Sequence, residues 1–205
     1  MNKAYITAIL TVTSLSFSAG AMAQNMSKSE YTAVEKNIEV EYKSAKANCA
    51  SFADNAQDIY ICMAVAKRTQ KVAKAELDAR YKPSKKADYK VSVAKAEADY
   101  AVAKEKCDDH AGNVKDVCLK EAKAALVHAK SDAKAHLKTS KAMIIANGES
   151  SEARMKAKEK GSEADHDAAA EKRDADYAVA KEKCNALSGD AKESCVTEAK
   201  KHYGK

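Results

Sequence analysis

Six cysteines carry the most reactive side chains of this 205-residue chain: Cys49, Cys62, Cys107, Cys118, Cys184 and Cys195. They fall into three pairs, thirteen, eleven and eleven positions apart. Paired thiols can form disulfides, ligate a metal as thiolates or cycle as a redox dithiol. A redox site would be expected to show Cys-x-x-Cys with a lowered thiol pKa, and the chain has no such motif. Structural zinc is held on tight knuckles such as Cys-x2-Cys, whereas ten or twelve residues intervene here. His110 sits between Cys107 and Cys118, but the other two pairs have no equivalent histidine. The spacing favours structural disulfides, with a metal or small-ligand site at the cysteine-rich end as the alternative.

Other candidates offer less. His128, His136, His166 and His202 are scattered over polar or Ala-rich segments, with no nucleophile beside them in sequence. Gly-x-Ser-x-Gly, His-Glu-x-x-His, phosphate-loop and dinucleotide signatures are all missing, so the chain reads as a non-enzyme with no catalytic residue and no cofactor. Tyr42, Tyr100 and Tyr177 each precede a cysteine by seven residues, a spacing that suits core filling on a helix seam better than a ligand-stacking set. Lysines recur at Lys104, Lys106, Lys123, Lys181, Lys183 and Lys200 and are candidates for contact with an anionic surface. Glu105, Glu121, Glu182 and Glu198 stand nearby and offer pairing along the helix instead. The formal charge of +6 is mild and set against 30 acids, which separates the chain from nucleic-acid condensers despite its Lys/Ala texture.

The cysteines dictate what must position them. On one continuous helix Cys107 and Cys118 would stand about 16 Å apart along the axis, and a disulfide needs Cα atoms within about 7 Å. The chain must reverse between them. A breaker and a capping residue lie between the members of all three pairs, so the spacing predicts hairpins stapled just below their turns: Cys49 to Cys62, Cys107 to Cys118 and Cys184 to Cys195. The decapeptide ADYAVAKEKC marks a repeated unit, occurring identically at Ala98 to Cys107 and Ala175 to Cys184. A diverged copy places Tyr42, Ala45, Lys46 and Cys49 at the same spacings.

Helix formers fill the rest, and the single proline with a few glycines marks the turns. An all-α fold of about six helices is predicted. The first, about 28–49, opens on a capping box of Ser27 and Glu30. Asn55 with Asp58 caps the second, which Pro83 ends. Ser84 caps the third, whose seam of Tyr89, Val93, Ala96, Tyr100, Ala103 and Cys107 has coiled-coil spacing. Asn113 with Asp116 is expected to cap the fourth, and Asp190 with Glu193 to form a capping box for a short sixth. The stretch 141–166 is least regular: Asn147-Gly148 signals a turn, and a polar, partly mobile linker is expected before the fifth helix. Extra residues around Ile59 to Ile61 and the apolar Met143-Ile144-Ile145 are expected to disturb their hairpins. Counting outward from Pro83 and Gly148 gathers all six cysteines at one pole of an up-and-down bundle; an elongated array of hairpins is the alternative.

Met1 to Lys3 form a basic start, Ala4 to Phe17 an apolar run, and Ala21-Met22-Ala23 a cleavage site, together a secretory leader at 1–23. Removing it takes Lys3 and leaves +5. Hairpins then divide the chain at 24–83, 84–146 and 147–205. Gln24 rather than cysteine follows the cut, so neither a lipid anchor nor a transmembrane anchor is expected after cleavage. An even number of cysteines suits an oxidising compartment. The leader followed by Tyr-x-x-Ala-Lys-x-x-Cys at Tyr42, Tyr100 and Tyr177 resembles exported Ala/Lys-rich helical proteins of proteobacteria loosely labelled TolA-like. That resemblance implies a cell-envelope setting and carries no site residue across. The expectation is a periplasmic structural or interaction protein, related to envelope stress, with peptidoglycan, an anionic lipid surface or another envelope protein as partner and no nucleic acid.

Overall fold

The computed structural model describes residues 26–52, 55–147 and 151–205, and the expected leader at 1–23 lies outside them, as does Gly148 of the expected turn. Among the described residues six helices follow one another: α1 (Lys28–Asn48), α2 (Ala56–Tyr81), α3 (Lys85–Cys107), α4 (Gly112–Asn147), α5 (Ser151–Cys184) and α6 (Gly189–Tyr203). A 3-10 turn at Cys49–Phe52 leads from α1 toward α2. No strand occurs among the described residues, and the fold is all-α.

Three helix starts form as the local chemistry dictates. The Ser27 backbone N–H donates to Glu30, and the Ser27 hydroxyl accepts from the Glu30 N–H. Asn55 accepts from the Gln57 N–H at 3.0 Å, and Ser84 from the Ala87 N–H at 3.0 Å. The expected caps at Asn113 and Asp190 are not made. Helices α4 and α6 already begin at Gly112 and Gly189, each in the left-handed region at φ 56°, so both residues stand inside the first turn. A capping side chain must sit ahead of it.

The described residues of the expected linker, 141–147 and 151–166, are helix. Small residues at Ala157, Gly161, Ala164 and Ala168 recur at helical spacing and are buried, which lets α5 lie along α4 from near its start. Such a seam lacks large apolar side chains and so is inconspicuous in composition. Neither Ile59 to Ile61 nor Met143 to Ile145 interrupts its helix. The two extra positions of the first cysteine pair fall before α2, which begins seven residues after Cys49, whereas α4 and α6 begin five residues after Cys107 and Cys184.

Among the described residues each helix packs only on its neighbours in sequence, α1 on α2 through to α5 on α6. The chain is thus a serpentine array rather than a closed bundle. Inner helices consequently bury two faces. In α3, Ala96 and Cys107 of the expected seam are buried, while Tyr89, Val93, Tyr100 and Ala103 are not fully buried. Ala94, Ala98 and Val102 are buried as well, because α3 lies between α2 and α4. Alanine fills most of these seams, so each helix pair buries little apolar area and the junctions depend heavily on what else crosses them.

The two ends of the array differ from its inner junctions. Ile61 and Val117 lie one turn after Gln57 and Asn113, and Val102 and Val179 one turn before Glu105 and Glu182. At the outer ends the same repeat positions hold Ser194 and Ser44, both exposed. Polar outer faces are what terminal units of a repeat array need to remain single.

Candidate functional site

All six cysteines are paired, Cys49 with Cys62, Cys107 with Cys118 and Cys184 with Cys195, at Cα separations of 5.6, 5.6 and 5.7 Å. The first member of each pair is 1% exposed and the second half-buried. Every cysteine sulfur in this state is committed to a disulfide, so none is a thiolate ligand. Among the described residues, no group of three His, Cys, Asp or Glu side chains converges in a metal-holding arrangement. The chemistry left to the half-buried sulfurs is thiol–disulfide exchange with an attacking thiolate.

The stapled turns are tied to one another. The Gln57 side-chain amide donates to the Glu105 carbonyl, and the Asn113 amide donates to the Glu182 carbonyl at 3.2 Å. Both donors stand five residues before the second cysteine of their pair, and both acceptors two residues before the first cysteine of the next. The repeated decapeptide contributes a further link. Asp99 pairs with Arg68 of the preceding hairpin, and Asp176, its counterpart, lies 2.9 Å from Nε2 of His128, without hydrogen-bond alignment. Asn113 is legible as a helix-start residue, but its actual partner belongs to another hairpin and no local signal names it.

A carboxylate ten residues before the first cysteine clamps each hairpin from within. Glu39 pairs with Lys74, Glu97 with Lys130 at 3.1 Å, and Asp174 with Lys205. Glu97 also takes Lys71 of α2 at 2.8 Å, so one side chain spans three helices. Hydrogen bonds from Lys71 and then Lys130 hold its carboxyl below the ordinary 4.5. Lys74 does the same to Glu39, and Lys134 with buried Ser131 to Glu171. Tyr31 donates to Asp78 at 2.7 Å and packs on Tyr81, and the bond to Asp78 pushes its hydroxyl up to about 12. The spacing of these acids from the cysteines is visible in the repeat register, though their partners are not.

The six candidate lysines do not share one environment. Lys183 of α5 pairs with Glu121 of α4 at 2.6 Å, and Lys123 lies over the Tyr100 ring at 5.6 Å. Lys104, Lys106, Lys181 and Lys200 are exposed and make no ion pair among the described residues. Of the tyrosines seven residues before the cysteines, Tyr42 carries Lys46 on its face, and Tyr177 stacks at 6.3 Å on Tyr203. Tyr100 and Tyr177 thus contact the other helix of their own hairpin, and among the described residues no aromatic pair joins the three tyrosines to one another.

At the opposite end lies a surface that sequence reasoning missed. Met143, Ile144 and Ile145 near the end of α4 are 51%, 60% and 60% exposed, and Met155 near the start of α5 is 74% exposed. The apolar run is visible in the sequence, where it reads only as a local disturbance. No helix among the described residues is long and apolar enough to cross a membrane. Compared with family models, curated proteins and solved structures, the chain returns no match.

Proposed function

We propose that the chain is an exported, periplasmic, non-catalytic helical scaffold and interaction protein of the cell envelope, suited to conditions of envelope stress. The observation that carries this reading is the serial array in which every cysteine is spent on stapling a turn. Disulfides persist in oxidising compartments, which agrees with a leader at 1–23. The array exposes two lengths of the same repeated surface, with Lys104 and Lys181 open at equivalent positions. Weak contacts with peptidoglycan or another anionic envelope component gain avidity when presented twice.

Cell fractionation combined with sedimentation on purified sacculi tests this reading. The expected result is release with the periplasmic fraction, three disulfides, and binding to sacculi at low salt that exceeds a charge-matched helical control. Replacing Lys104 and Lys181 by Glu is expected to lower that binding. A cytoplasmic, fully reduced protein would overturn the compartment, and binding equal to the control would overturn the surface.

A further inference from the structure

We propose that the hairpin end formed by α4 and α5 inserts into the interface of a bilayer bearing anionic headgroups. Successive helical residues are rotated by about 100°, so Met143, Ile144 and Ile145 cover about 200° of the helix circumference. All three are half or more exposed. A partner groove covers a stripe of residues spaced three or four apart, whereas a helix end dipped into an apolar layer is covered from every side. With α4 ending at Asn147 and α5 beginning at Ser151, these side chains and Met155 stand within about 6 Å of the helix ends. Interfacial segments bury their apolar faces to about 5–10 Å.

Charge around the apolar tip points the same way. Lys141, Lys156, Lys158 and Lys160 follow it on both helices, at about 8–14 Å from the ends, where headgroups would lie, as does Lys138, which also pairs with Asp167 at 3.1 Å, while Arg154 stands level with the apolar side chains. Their aliphatic stems can lie along the apolar layer with the charge outward. Residues 138–160 hold six cations against three acids, a net +3 within a chain of +6. The acid nearest the start of α5, Glu152, pairs with Lys156 at 3.5 Å. On one side Lys138, Lys141, Lys156, Lys160 and Glu163 border a groove whose apolar lining is Ala142, Ile145, Ala153 and Ala157, four cations against one acid. The bilayer commits to lipid phosphate, with the acyl region taking the apolar side chains; it rests on the envelope reading only for access to such a surface.

The chain has no tryptophan, so Ile145→Trp places a single emitter at the tip of the full, oxidised protein, and Val114→Trp, at an equally exposed site by the stapled end, is its control. Vesicles of phosphatidylcholine with and without phosphatidylglycerol, and soluble glycerophosphate, are the probes. Expected are a blue shift of the Ile145→Trp emission with anionic vesicles alone, none from Val114→Trp, and no competition by glycerophosphate. Ile144→Glu with Met155→Glu, both at exposed positions, is expected to weaken vesicle binding about tenfold, and Lys141→Glu with Lys158→Glu to weaken it about fivefold at low salt, with melting unchanged. No shift from the Ile145→Trp protein, equal shifts from both variants, or a concentration-dependent shift without vesicles would each overturn the proposal, the last by showing that a second copy covers the tip. Binding to sacculi is scored separately, so loss of one result leaves the other standing.

Discussion

The stapled pole and the α4–α5 tip solve helix association differently. At the stapled end, a disulfide, a carbonyl-directed amide and a short ion-paired register act together, and Cys49, Cys107 and Cys184 are sealed from solvent. At the α4–α5 tip, small clusters such as Ala142, Ala146 and Ala157 close the seam while Met143, Ile144, Ile145 and Met155 face outward. Large apolar side chains would serve packing best between the helices, and here they lie outside. A chain with thin alanine seams keeps its turns by covalent and polar links, which leaves its largest free apolar residues for a surface.

Breaking the stapled side should have the largest effect. Replacing Cys107 and Cys118 together by Ser is expected to cost about 3 kcal/mol in thermal or urea unfolding, because the reduced unfolded chain regains loop entropy. Much of the helical circular dichroism at 25 °C should remain, since the segments favour helix on their own. Amide exchange at 151–164 should change little in that variant, which separates the two ends. The next effect is backbone strain: Gly112→Ala is expected to cost about 1–2 kcal/mol, although nothing lies within 4 Å of the new Cβ, because alanine is strained at φ 56°. Chemical denaturation of the oxidised protein would measure it.

Stability should respond to acid in one direction. Glu39, Glu97 and Glu171 have folded values held below 4.5, so their contribution is complete above that value and lost as pH falls through the folded values. Melting temperature is expected to be nearly flat from about pH 7 to 5 and to fall below about 4.5. These pairs are exposed enough to be screened, so the loss should be smaller than that from removing a staple. Gly161→Ala tests the small-residue seam between α4 and α5 with the opposite sign. Its Cβ would meet Thr139 at 3.5 Å, ordinary contact, and replacing glycine within a helix is expected to add about 1 kcal/mol.

Features decided within a few residues were readable from sequence. Ser27 with Glu30, Asn55 and Ser84 start helices because a cap depends on its own next turn, and the three cysteine pairings follow from the need to reverse the chain between them. Features decided by a neighbour were not. Asn113 carries the chemistry of a cap, but the left-handed Gly112 starts the helix first, and the Asn113 Nδ2 donates to the Glu182 carbonyl. Periodicity in α3 suggested one seam, whereas a helix with neighbours on two sides buries Ala94 and Ala98 outside it. The same two-sided packing is why array and bundle could not be separated by counting. The first half of α5 was hidden for another reason: Ala157, Gly161 and Ala164 form its buried face, and small residues leave little hydropathy signal.

Non-reducing peptide mapping of protein recovered from its native compartment tests the stapled array most directly. The account predicts three linked peptides, joining Cys49 to Cys62, Cys107 to Cys118 and Cys184 to Cys195, and no free thiol. Recovery of Cys62 joined to Cys107, or of any bridge between different repeats, would contradict it.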